Sequence, residues 1–322
     1  MSGNSSSQWL PDAPILEDVV AFEESPSGEP VINLQPMGRG KLTFRRFMRN
    51  KLAVVSVVVL AFIVLVAIFG PYVWHWGFRD QDFLAFLKGP SASHPMGTTG
   101  NGRDVLAMLM YGMRKSLAIG IIYALLVTAI ETLTGAAAAY FGAWVERIIL
   151  WITDLLLIVP QLLLVAIIMW GLVSPTWSWL FLALLMGVLD WPMGGRIVRS
   201  LTTSLKNREY VQAARFMGLG SWRIIFRHIL PNIASLLIVN VSMGVGLAIL
   251  AETTYAWLGF GVQQPDVSLG SLIAEGSGKV VSSPWEFGFT ALALVLIVLA
   301  VNSIGDGLRD ALDPTSMAGG QA

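Results

Sequence analysis

The sequence predicts an all-α membrane protein with six transmembrane helices. Of its 322 residues, 55% are hydrophobic and only 13% are charged, and the mean hydropathy is +0.66. Because soluble domains carry roughly a quarter charged residues, this composition indicates the membrane class. The sequence contains no cysteine, which excludes disulfide bonds, thiolate catalysis and cysteine-ligated metal.

Six segments reach or approach the roughly 20 apolar residues that a bilayer requires. They are 52–73, 116–143, 148–174, 175–195, 229–265 and 287–305. The first and last contain no charged residue, whereas each of the others contains one carboxylate: Glu131, Asp154, Asp190 and Glu252. The fourth segment gives the weakest signal, since Pro192 and the Gly194–Gly195 pair interrupt it near its end.

The distribution of lysine and arginine predicts the orientation of these spans. Basic residues crowd the entry to the first span: Lys41, Arg45, Arg46, Arg49 and Lys51. Others lie between the fourth and fifth spans: Arg196, Arg199, Lys206, Arg208, Arg215, Arg223 and Arg227. Only Lys279 lies between the fifth and sixth. Since basic loops favour the cytoplasm, both termini are predicted to be cytoplasmic and 74–115 to be external.

Four regions follow from this pattern. Residues 1–40 are predicted to form a disordered acidic cytoplasmic tail, because they offer little apolar surface and carry Asp12, Glu17, Asp18, Glu23, Glu24 and Glu29. Docking of a partner is the alternative role for this tail. Residues 41–113 hold the first transmembrane helix and the external segment, 114–314 hold the five remaining helices, and 315–322 form a C-terminal tail.

Residues 207–230 predict a compact helical element between the fourth and fifth spans. A helix over 207–217 would place Tyr210, Val211, Ala214 and Met217 along one face. Gly218 and Gly220 are expected to stop it, and Ser221 to cap a second helix over 222–230, while Pro231 suits the start of the next span. Two interpretations are open. The element is either an interfacial helix that lies on anionic lipid, or a rigid docking element that a soluble partner binds and moves.

A family resemblance supports the interpretation as a rigid docking element. The pattern Gln212-Ala213-Ala214-x-x-x-Gly218, followed by Leu230-Pro231, resembles the EAA loop of ATP-binding cassette (ABC) importer permeases, with Gln212 and His228 where that family has glutamate and isoleucine. Segments 94–117, 257–273 and 305–314 resemble blocks of the C-type permease of dipeptide/oligopeptide importers; they differ at Thr99, Gln264 and Leu269. The resemblance runs from about residue 40 to residue 314.

This resemblance implies a type I importer permease fold in a bacterial cytoplasmic membrane. It implies that the 207–230 loop is a coupling helix seated on an ATPase subunit, through Glu209, Gln212, Ala213, Ala214, Arg215, Gly218, Leu219 and Gly220. The implied partners are a second homologous permease, ATPase subunits that bind ATP and magnesium, and an extracytoplasmic substrate-binding protein. The chain would itself be no enzyme, hold no cofactor and bind no nucleic acid. Its cargo would be a di- or oligopeptide, with glutathione, a nickel chelate or haem as alternatives.

The carboxylates within the spans are the remaining candidates for function. An ionised carboxylate in a membrane is costly and usually faces a water-filled cavity or a polar partner. Glu131 and Glu252 are therefore candidate translocation-pathway residues, with helix bonding as the alternative, whereas Asp154 and Asp190 favour a structural role. The GSGK stretch at 276–279 lacks the P-loop spacing, and the three dispersed histidines predict no metal site. A self-contained secondary transporter is the alternative class, although the sequence has no evident internal repeat.

Overall fold

The computed structural model describes residues 20–24, 30–34, 39–172 and 175–312. After a pair of short strands, β1 (Val20–Glu24) and β2 (Pro30–Leu34), the chain forms α1 (Arg39–Arg49), α2 (Lys51–Val73), α3 (Val105–Phe141), α4 (Ala143–Ile158), α5 (Gln161–Leu172), a 3-10 turn (Pro175–Trp177), α6 (Ser178–Lys206), α7 (Glu209–Phe216), α8 (Ser221–Ile224), a π-helical turn (Ile225–Ile229), α9 (Leu230–Trp257), α10 (Leu269–Ser277) and α11 (Pro284–Leu312). The predicted helical membrane architecture is confirmed.

Five of these helices are long and apolar enough to span a membrane, and a bent pair brings the number to six. The five are α2, α3, α6, the continuous helix Ser221–Trp257, and α11. The predicted first span at 52–73 matches α2 closely. By contrast, α3 begins eleven residues before the predicted start at 116, because Arg114 and Lys115 interrupt the apolar run without interrupting the helix. Which side each terminus faces stays a prediction.

The predicted third span is broken, contrary to the expected continuous helix over 148–174. Helices α4 and α5 meet at an angle of 81°. The break falls at Pro160, which has no N–H to donate and whose ring disfavours a helical conformation in the preceding residue. Val159 is accordingly extended, with φ −78° and ψ 125°.

Two expectations about the fourth and fifth spans are also corrected. Helix α6 passes through Pro192 and the glycine pair and continues to Lys206, instead of ending near residue 195. The second loop helix is not separate, because α8, the π-helical turn and α9 run on without a break. The π-helical turn ends two residues before Pro231, where the missing N–H already interrupts α-helical hydrogen bonding.

Helix α3 lies at the centre of the bundle. One apolar cluster joins it to α2, α9 and α11, and a second joins it to α5, α6 and α9. Small residues bring α3 and α6 together: a Cβ added to Gly135 would lie 2.5 Å from the Gly195 carbonyl oxygen and 2.8 Å from the Val198 Cβ. Close backbone approach of this kind is a common basis of helix packing in membranes.

We expect Gly135→Ala to destabilise the bundle by about 2 kcal/mol, because the added methyl group forces α3 and α6 apart. Gly288→Ala in α11 is the matched control, since none of the described atoms lies within 4 Å of its added Cβ. The control should be neutral or slightly stabilising. The measurement is the thermal unfolding midpoint of both variants in the same detergent. Equal midpoints would contradict the close α3–α6 packing.

The strand pair lies inside the segment predicted to be disordered. It is antiparallel, with Val20 opposite Leu34 and Glu24 opposite Pro30. Valine, isoleucine and phenylalanine favour strands, which explains this local departure from the prediction. The other residues of the predicted tail up to residue 38 lie outside the described residues, as does the predicted C-terminal tail at 315–322.

Candidate functional site

Helix α7 is fixed to the bundle by one buried face. Val211 and Ala214 are almost fully buried and pack in a cluster with Ile224, Ile225 and Ile229, together with Ala136 of α3 and Val198 of α6. A spacing of three residues puts Val211 and Ala214 on one side of the helix. Ala214, predicted to contact a partner, therefore faces the bundle.

The opposite side and the end of α7 are exposed. Phe216 is 89% exposed and Met217 is 74% exposed; we call these two residues the α7 tip. Six of the predicted coupling residues are exposed beside it: Glu209, Gln212, Ala213, Arg215, Gly218 and Gly220. Of the four residues predicted along one face, Val211 and Ala214 are buried, whereas Tyr210 and Met217 are exposed. Sequence reasoning missed Phe216, although an aromatic residue beside arginine is typical of protein interfaces.

A Schellman motif ends α7 and holds its tip in place. The Leu219 N–H donates to the Ala214 carbonyl at 3.2 Å, and the Gly218 N–H donates to the Arg215 carbonyl at 3.0 Å. Gly218 has φ +76°, which confirms that glycine stops this helix. Gly220 instead has φ −64° and occupies the N-cap position of α8, which was predicted for Ser221. Leu219 is half-buried against the same apolar cluster as Val211.

An open groove of about 890 Å³ lies beside α7. Residues from three helices line it: Gln212 and Phe216 of α7, Tyr140 at the end of α3, and Lys206 at the end of α6. Lys206 donates from Nζ to the Ala139 carbonyl at 2.6 Å and so ties these two helix ends together. The α7 tip thus stands at the rim of a groove whose walls are held by hydrogen bonds.

Two ion pairs join α4 to α6. Arg199 pairs with Glu146, and Arg196 pairs with Asp154. The Asp154 carboxylate therefore bonds a neighbouring helix, as its structural interpretation predicts. Asp190 accepts a hydrogen bond from the Tyr123 hydroxyl at 2.9 Å, which also joins two helices, α6 and α3.

Glu131 lies in a packed junction of three helices. It is buried, and its Oε1 accepts a hydrogen bond from Asn240 Nδ2 of α9 at 3.0 Å. On α6 it faces Gly194, where any side chain would collide with the carboxylate. These contacts favour the helix-bonding alternative over a direct role in the translocation pathway.

Glu252 holds the short helix α10 against the bundle. It is fully buried, and its carboxylate accepts hydrogen bonds from Ser268 Oγ at 2.5 Å and from Ser116 Oγ at 3.2 Å. Ser268 is the N-cap residue of α10, and Ser116 Oγ accepts the Leu269 N–H at 2.9 Å. The carboxylate thus links α3, α9 and the start of α10. Glu131 and Glu252 are not brought together, since they sit in separate hydrogen-bonded clusters.

The segment between α2 and α3, which was predicted to be external, is a folded unit. Buried His94 bonds through Nδ1 to Asp104 at 2.7 Å and through Nε2 to Asp82 at 3.3 Å. Asp104 also caps α3 by accepting the Ala107 N–H at 2.7 Å. The Leu84 N–H, helped by His94, holds the pKa of the Asp82 carboxyl below its ordinary value. Among the described residues, no cluster of histidine and carboxylate side chains has an arrangement that could hold a metal ion.

Lys279 of the GSGK stretch forms ion pairs with two carboxylates. Its Nζ lies 3.1 Å from Glu275 and 3.3 Å from Glu286. Burial opposes the charged form of this lysine, yet the hydrogen bonds and charges of the two glutamates outweigh burial and raise the pKa of Lys279. This ion-pair role accounts for Lys279 without a bound nucleotide.

Comparison with known proteins identifies the family of the chain. Residues 131–316 match the binding-protein-dependent transport system inner membrane component, and residues 38–90 match the N-terminal TM domain of oligopeptide transport permease C. The chain is 45% identical to the oligopeptide transport system permease protein OppC of Mycobacterium tuberculosis over 278 residues, which is 86% of this chain and 95% of the relative.

Other relatives carry different names. The dipeptide transport system permease protein DppC of Alkalihalophilus pseudofirmus is 36% identical over 84% of this chain and 88% of its own length. The glutathione transport system permease protein GsiD of Pectobacterium atrosepticum is 35% identical over 84% of this chain and 89% of its own length. The family match covers more than half of the sequence and agrees with the motifs quoted above. The chain therefore belongs to the family of binding-protein-dependent transport system inner membrane components.

Proposed function

We propose that this chain is a permease subunit of an ATP-driven ABC importer of di- and oligopeptides. It would form half of the translocation pathway, and a second homologous permease would form the other half. Substantial identity to relatives named as oligopeptide and dipeptide permeases supports the peptide cargo. Glutathione is the second candidate cargo, because a relative named as a glutathione permease is nearly as similar as the dipeptide permease.

The observation that carries the coupling proposal is the geometry of α7. Its inner face is buried against residues of α3, α6 and the helix that leads into α9, while its tip is exposed. A force applied to Phe216 by a soluble subunit would therefore pass through Val211 and Ala214 to the spans. ATPase subunits that bind ATP and magnesium would supply this force.

The proposed mechanism is alternating access of a two-state bundle. Closure of the ATPase dimer around ATP would carry α7 with it, and the attached spans would open towards the substrate-binding protein. Hydrolysis would reset the bundle and release the cargo inside. ATP and the loaded binding protein would each bias the same equilibrium, as linkage between two sites requires.

Cysteine cross-linking at neighbouring alanines of α7 tests the coupling surface. Ala213→Cys places a thiol on the exposed side, whereas Ala214→Cys places it against the bundle, and the chain has no other cysteine. We expect position 213 to form a nucleotide-sensitive cross-link with an ATPase subunit and position 214 to form none. The absence of a cross-link at 213, with its label reached only by lipid-borne reagents, would favour an interfacial helix and reopen the secondary-transporter class.

A further inference from the structure

Helix α1 is a basic helix attached directly to the first span. It contains five basic residues and no acidic one: Arg39, Lys41, Arg45, Arg46 and Arg49. Asn50 follows it at once and caps α2, its side chain accepting the Ala53 N–H at 3.1 Å. Because α2 is long and apolar enough to span a membrane and begins directly after this cap, α1 would lie at the height of the lipid headgroups.

One face of α1 packs on the protein and another is open. Phe47 lies against Gly307 of α11, where only a glycine leaves room for the ring and for Ala53. Phe44, 66% exposed, and Met48, 49% exposed, follow each other by four residues and share a second face. Lys41, Arg45 and Arg49 are exposed alongside them.

The charge of this surface is positive. At the end of α11 that receives α1, Asp306 and Asp310 are exposed, and Arg309 lies between them. Five cations on α1 outnumber these two carboxylates. A helix that exposes large apolar side chains flanked by cations has the pattern of interfacial membrane helices.

We propose that α1 is a binding site for anionic phospholipid headgroups in the leaflet where the first span begins, the cytoplasmic leaflet in the predicted orientation. Phe44 and Met48 insert below the phosphates, and Lys41 and Arg49 contact the phosphates from the flank. The acidic N-terminal residues are a weaker occupant, since carboxylates would match the cations but leave both large apolar side chains without an apolar environment. Through Phe47, lipid binding at α1 also fixes the end of α11.

A fluorescent label on Met48→Cys tests this site in the full-length chain, which offers no other thiol. The labelled protein is placed in nanodiscs of phosphatidylcholine alone, or of phosphatidylcholine with phosphatidylglycerol, each containing nitroxide-labelled lipid. We expect a blue shift and quenching that increase with phosphatidylglycerol. Each cation near an anionic surface contributes about a fivefold factor to docking, so Lys41→Gln with Arg49→Gln should reduce the ratio of docked to undocked α1 about 25-fold.

The matched control is the same label on Phe216→Cys, an exposed position at the C-terminal end of α7, which should not respond to phosphatidylglycerol. Quenching of the Met48 label that is equal in both lipid mixtures, or unchanged in the double variant, would overturn the proposal. A label shielded in phosphatidylcholine alone, and unshielded on removal of residues 2–38, would show that the N-terminal tail covers α1 and would also overturn it.

Discussion

Phe216→Asp is expected to abolish ATP-driven uptake while the chain still inserts and folds. The side chain makes almost no contact within the chain, so its replacement leaves the bundle intact. On the proposed ATPase interface it is an apolar anchor at a helix tip, and such anchors cost about 2 kcal/mol or more when removed. The affinity for the ATPase subunits should fall at least about 30-fold. Co-purification and titration with the ATPase subunits measure this loss.

The conservative variant Phe216→Leu is the matched control. It keeps an apolar side chain at the tip and should retain most of the ATPase affinity and uptake. Normal uptake by the aspartate variant would show that the α7 tip lies outside the interface. A lower unfolding midpoint without loss of ATPase affinity would indicate that Phe216 contributes to folding instead.

The sequence predicts where α7 ends, but not which of its apolar residues face the bundle. Gly218 adopts the positive φ that only glycine accepts easily, and this requirement is visible in a single sequence. Periodicity put Tyr210, Val211, Ala214 and Met217 on one face, but only Val211 and Ala214 are buried against the bundle, and Tyr210 and Met217 are exposed. In a helix of eight residues, an apolar residue at the edge of the face can point either to the bundle or to a partner.

Proline breaks the helix at one position in this chain and not at another. Pro160 separates α4 from α5, whereas Pro192 lies within α6, which continues for more than three turns. The residue chemistry is identical, so the difference comes from tertiary structure. Pro192 and Trp191 are buried where α6 packs along α3, and this packing holds the helix together across the lost hydrogen bond.

The roles of the buried carboxylates depend on partners far away in the sequence. Asn240 is 109 residues from Glu131, and Ser116 is 136 residues from Glu252. Periodicity can show that a glutamate lies in a span, but it cannot reveal which helix supplies a hydrogen-bond donor. For this reason the sequence left both the pathway role and the helix-bonding role open.

Glu252→Ala is expected to destabilise the end of the bundle that carries α10 by about 4 kcal/mol. The substitution leaves the hydroxyl groups of Ser116 and Ser268 without their acceptor in a buried site and creates a cavity. Because Ser268 caps α10, the connection between α9 and α11 should loosen. The unfolding midpoint in detergent and the rate of proteolysis within 258–283 measure these two effects.

Two further variants separate this structural role from a role in cargo passage. Glu275→Ala removes an exposed carboxylate from the same helix, α10, and should cost less than about 1 kcal/mol. Glu252→Gln keeps a carbonyl oxygen that can accept from Ser268, so it should lose roughly half as much stability as the alanine variant. If the charge of Glu252 instead met the cargo, Glu252→Gln would stop uptake as completely as Glu252→Ala without lowering the unfolding midpoint. That outcome would indicate that Glu252 contributes to the translocation pathway. If uptake instead decreases in proportion to stability, the role of Glu252 is to hold α10 against α3 and α9.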